Sequence, residues 1–97
     1  MAITIIASIK VKEGKMEEVK EALKEIVPKI KGSEPGCLAY IPHTVKGPKE
    51  KNTIIFYEKY EDDKALKTHM ANLGKNMAKV TPLLEPGMDL KTCFEIL

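Results

Sequence analysis

Proton chemistry near neutral pH calls for an imidazole, and this chain of 97 residues has 2, His43 and His69. His69 follows Ala65 and Leu66 and precedes Met70 and Leu73, so it belongs to an apolar stripe at helical spacing. An imidazole on such a stripe, facing a cavity, can take or give a proton to a bound molecule. The competing reading is a structural histidine hydrogen-bonded to backbone. Glu58 lies in the run Phe56-Tyr57-Glu58-Lys59-Tyr60, where burial would raise its pKa and let it orient a polar partner. Otherwise it is a strand-end carboxylate reaching water or a lysine. Tyr40, Tyr57 and Tyr60 serve packing first, with the hydroxyl satisfied, and ligand lining second. Asn72 completes the set of polar candidates.

Composition removes several kinds of chemistry. All 16 basic residues are lysine, and arginine, tryptophan and glutamine are absent. Bidentate clamping of phosphate or carboxylate needs the planar guanidinium fork and is therefore closed to this chain. Against 14 acidic residues the net charge is only +2, too balanced for a nucleic-acid groove or a membrane-surface patch. RNA binding on an open sheet would also need stacking aromatics that the strands lack. Cys37 and Cys93 show no C-x-x-C spacing, so neither a zinc site nor a dithiol redox site is expected, and no metal is assigned. No nucleophile elbow, P-loop, zincin helix or dinucleotide fingerprint occurs. The opening run Ile3 to Ser8 lacks a basic lead and is too short for a signal or a span, which predicts a cytoplasmic location away from the membrane.

The candidates must be positioned by one small domain spanning residues 1–97, large enough for a modest core. Ile3, Ile5, Ala7, Ile9 and Val11 alternate with Thr4, Ile6, Ser8 and Lys10, which predicts a first strand closed by a turn at Gly14. Met16, Val19, Leu23, Ile26, Val27 and Ile30 form the stripe of an amphipathic helix, with a kink or early end expected at Pro28. After the turn segment 32–36, a second strand runs from Cys37 to Val45; Pro42 marks it as an edge strand or a bulge, with Leu38 expected on the face of Tyr40. A polar hairpin loop, 46–52, leads to a β-branched and aromatic strand from Thr53 to Tyr60. Asp62 or a neighbour caps a second helix, Asn72 restarts a short one reaching Met77 and Val80, and Thr81-Pro82 closes it. Met88 to Ile96 alternates as a fourth strand.

The order βαββαβ defines an α+β, ferredoxin-like arrangement: one antiparallel sheet with both helices on one face and strands one and three at its centre. Cys37 and Cys93 then lie on opposite edge strands, too far apart for a disulfide. Both sheet faces carry Ile, Leu or Tyr, so two sheets packed face to face are expected to form a homodimer.

Three stretches, Ile9-Lys10-Val11-Lys12-Glu13-Gly14-Lys15, Glu34-Pro35-Gly36-Cys37-Leu38-Ala39-Tyr40 and Phe56-Tyr57-Glu58-Lys59-Tyr60-Glu61-Asp62, are followed by Ala65-Leu66 and His69. Together they resemble the antibiotic biosynthesis monooxygenase domain over nearly the whole chain. The resemblance implies a dimeric α/β barrel and oxygenation of a small quinol, polyphenol or polyketide-like aromatic by molecular oxygen, without metal, flavin or other cofactor. It implies that His69 takes or holds a proton, that Tyr40, Tyr57, Tyr60 and Glu58 line the substrate cavity, and that Asn72 adds a polar contact. Tyr60 stands where many members have tryptophan, and a second histidine is missing from the segment 72–76. Haem-degrading relatives use a first-strand asparagine, where this chain has Ala7 or Ser8, so haem degradation is disfavoured. The alternative on the same fold is a non-catalytic dimeric module that binds a small ligand without consuming oxygen.

Overall fold

The computed structural model describes residues 2–97. Its elements follow the order β1 (Ile3–Lys10), α1 (Met16–Ser33), β2 (Cys37–Thr44), β3 (Thr53–Tyr60), α2 (Asp63–Asn76) and β4 (Asp89–Cys93). The strands form one antiparallel sheet in the order β2-β3-β1-β4, so the two strands richest in isoleucine are central. Cys37 and Cys93 sit on opposite edge strands as free thiols.

Strand register decides what each face presents. Ile3, Ile5, Ala7 and Ile9 pair with Tyr60, Glu58, Phe56 and Ile54, which places these eight side chains together under the helices. Val19, Leu23, Ile26 and Ile30 of α1 close over them, and Met77 and Val80 complete the core from beyond α2. The opposite face carries Thr4, Ile6, Ser8, Ile55 and Tyr57.

Four local expectations are corrected. Helix α1 passes through Pro28 and ends only at Ser33. Pro28 and Lys24, whose carbonyl it cannot serve, are both exposed, so the lost hydrogen bond is not buried. Helix α2 runs unbroken to Asn76 rather than restarting at Asn72, because neither Asn72 nor Gly74 removes a backbone donor. Strand β4 ends at Cys93, which pairs with Thr4, one residue from the start of β1, so the segment 94–96 has almost no strand left to pair with. A bulge between Cys37 and Ala39 shifts the register of β2, turning Cys37 into the core and Leu38 outward, away from Tyr40.

Two features lock α2 against the sheet. Asp62 caps it, its carboxylate accepting from the Ala65 N–H at 2.8 Å. Gly36 allows the close approach: a Cβ there would lie 2.5 Å from the Ala65 Cβ. With Glu61 N–H donating to the Gly36 carbonyl at 2.9 Å, the start of α2 is fixed to the loop before β2. His69 lies one helical turn beyond Ala65 on the same side.

Candidate active site

His69 is 1% exposed and stands between two carboxylates that come from different elements. Its Nδ1–H donates to Glu34 Oε1 at 2.9 Å, while Nε2 lies 3.7 Å from Glu58 Oε1, beyond hydrogen-bond range. Glu34, 4% exposed, belongs to the turn after α1; the backbone holds it there through Glu34 N–H to the Ile30 carbonyl and Cys37 N–H to the Glu34 carbonyl, both 2.9 Å. Asn76 Nδ2 approaches its second oxygen at 3.4 Å. Glu58 comes from the middle of the sheet and accepts from the Tyr60 hydroxyl at 2.7 Å.

Burial raises the Glu58 pKa, with the Tyr60 hydrogen bond and His69 opposing it and Glu34 reinforcing it. Burial also drives the Tyr60 and Tyr40 phenols far above their ordinary value, further raised by the nearby Glu58 carboxylate. Both phenols therefore stay protonated, as hydrogen-bond donors, throughout the neutral range. The rings of Tyr40 and Tyr60 each lie 5.1 Å from the imidazole and confine it.

This cluster borders a cavity of about 590 Å³ between the sheet, α2 and the segment leading into β4. Tyr40, Glu58 and His69 line one part; Phe56, Leu73 and Met77 are among its apolar walls. The volume falls in the range of small-molecule sites. Glu34 and Glu58 flank opposite ring nitrogens of His69 and do not converge on a point, and no group of three or more His, Cys, Asp or Glu side chains among the described residues is arranged to hold a metal ion.

The candidates thus separate. Tyr40, Glu58 and His69 share the cavity, and Tyr60 supports them from behind through Glu58. Tyr57 projects from the opposite face of the sheet, as the alternation of β3 requires, and Asn72 is exposed on α2; neither lines this cavity. His43 is exposed at the rim of a separate groove between α1 and β2, its Nδ1 2.9 Å from the Ile41 carbonyl. Glu34 is not one of the sequence candidates; the signal that marks it is its place at the helix exit, before Pro35 and Gly36.

The βαββαβ order, the antiparallel sheet and the shared helix face define a ferredoxin-like α+β protein. The family model described as antibiotic biosynthesis monooxygenase matches residues 2–73, and the chain belongs to that family. Solved structures agree on the fold. A protein of Caulobacter crescentus CB15, assigned by name to antibiotic biosynthesis monooxygenases, superimposes with a TM-score of 0.84 at 23% identity, covering 99% of this chain and 91% of that one. A conserved protein of Methanosarcina mazei Go1 gives 0.79 at 18% identity, covering 96% and 91%. A protein of Shewanella oneidensis gives 0.74 at 26% identity, covering 95% and 88%. No curated protein matches the sequence.

Proposed function

We propose that this protein is a cofactor-independent monooxygenase that oxidises a small quinol or polyphenol with molecular oxygen. The observation that carries the reading is the buried His69, held by Glu34 at 2.9 Å and bordering an apolar cavity beside Glu58 and Tyr40. An electron-rich phenol supplies its own electrons once deprotonated, so the protein has to shape the cavity and manage protons.

His69 takes the phenolic proton, and Glu34 stabilises the resulting imidazolium across their hydrogen bond. The phenolate gives one electron to oxygen, and the two radicals combine in a carbon–oxygen bond. His69 returns its proton to the peroxide anion. The ring C–H pair then forms a carbonyl as the O–O bond breaks, and the departing hydroxide leaves with the carbon-bound proton as water. A quinol plus one oxygen molecule thus becomes a hydroxyquinone plus one water. Tyr40, kept protonated by burial, serves as the donor to the phenolate oxygen.

We also propose a homodimer packed through the outer sheet face, where Ile41 is 46% exposed and Ile6, Ile55 and Tyr57 lie half-buried. The test of the catalytic reading is oxygen uptake with hydroquinones in air. One oxygen is expected per quinol, and His69→Ala is expected to slow turnover about 100-fold or more. Equal rates in both proteins would remove His69 from the mechanism, and binding without uptake would favour the non-catalytic module.

A further inference from the structure

Lysine makes up 16 of the 97 residues, yet no lysine lines the cavity that His69 borders. The ionisable groups in its wall are Glu58, Glu85, His69 and Tyr40, the last kept by burial as a neutral hydroxyl. Glu34 lies directly behind the imidazole, so any positive charge on His69 already has a carboxylate partner at 2.9 Å. Thr81 adds a hydroxyl, and the remainder is largely aliphatic, aromatic or methionine surface. Lys10, Lys49 and Lys51 border a separate surface pocket that shares Glu85, and two of them are engaged: Lys10 with Glu50 at 3.7 Å and Lys51 with Glu13 at 2.8 Å.

Such a cavity treats two ligands of the same shape differently. A phenol entering it exchanges water for acceptors on Glu58 and His69. A carboxylate, sulfonate or phosphate on the same ring would exchange its full hydration for the single neutral donor Tyr40, with no cation to receive it, and would face Glu58 and Glu85. We infer that the cavity selects uncharged phenolic ligands and rejects their anionic counterparts, with Glu85 setting the charge at its mouth. This rests on the monooxygenase reading only for what happens after binding.

The test is binding of a matched, redox-stable pair, 2-naphthol and 6-hydroxy-2-naphthoate, at pH 7.5. Calorimetry gives the affinities, and methyl NMR of ¹³C-labelled methionine gives the location, because Met70, Met77 and Met88 line the cavity whereas Met16 lies outside its wall. The neutral naphthol is expected to bind at least 10-fold more tightly and to shift the three cavity methyls but not Met16. Glu85→Lys, on an exposed residue, is expected to narrow that ratio without unfolding the protein. Equal or tighter binding of the naphthoate at these methyls, or failure of the naphthol to shift them, would overturn the inference. Selective naphthol binding in a protein that consumes no oxygen with hydroquinones would sustain the inference and sink only the catalytic reading.

Discussion

At the scale of single residues, Glu58 carries a pH dependence whose sign follows from its burial. Its folded-state pKa lies above the ordinary 4.5, so the unfolded chain releases this proton first. Stability from Glu58 is full below the unfolded value and is lost as pH rises through the folded one. Glu58→Gln removes that loss, and the melting temperature of the variant relative to wild type is expected to climb between pH 4 and pH 7. A difference independent of pH would mean that Glu58 is not desolvated in solution. Tyr60→Phe takes away the donor held at 2.7 Å from a buried carboxylate and is expected to destabilise by about 1–3 kcal/mol in urea unfolding. His69 was legible because an imidazole stands out on an apolar helical stripe. Glu34 was not, because its partner is 35 residues away in sequence and only the packing of α2 brings them together.

At the scale of elements, the short path from Glu34 to Gly36 explains how two distant segments make one site. The bond from Glu61 to the Gly36 carbonyl and the contact with Ala65 fix α2 where its next turn puts His69 on Glu34. Gly36→Ala would bring two Cβ atoms to 2.5 Å, and neither can rotate away. A loss of about 1–3 kcal/mol of stability is expected, with a fall in whatever activity depends on His69, whereas Gly32→Ala, with open space around it, is expected to leave both nearly unchanged. Measuring unfolding and turnover on the two variants together checks this. The sequence marked the elements well because alternation and helical spacing are strong signals where aliphatic residues are interspersed with lysine and glutamate. It misjudged Pro28 and the restart at Asn72 because exposed helix surface tolerates a missing donor or an amide. The bulge in β2 left no sequence mark of its own, and it moved Cys37 and Leu38 to the faces opposite those that strict alternation gives.

At the scale of the molecule, large apolar side chains are exposed on the outer face of β2, at Leu38 and Ile41, around the cavity and in the C-terminal residues. Phe94 is 56% exposed just beyond β4. Ile41→Glu, on the outer face of the edge strand β2, is expected to convert a dimer into monomers of 10.8 kDa in light scattering, while a wild type that is monomeric at all concentrations would remove the dimer from the proposal. The proposal of a dimer rests on apolar residues on both faces, read from the same alternation that located the strands. Cys37 reports on the whole molecule in another way. Its thiol is buried, and burial together with Glu34 and Glu58 raises its pKa, so the folded state withholds the thiolate that alkylating agents attack. In a Cys93→Ser background, the rate at which iodoacetamide modifies Cys37 would therefore count how often the protein opens, a molecular clock for unfolding that needs no denaturant.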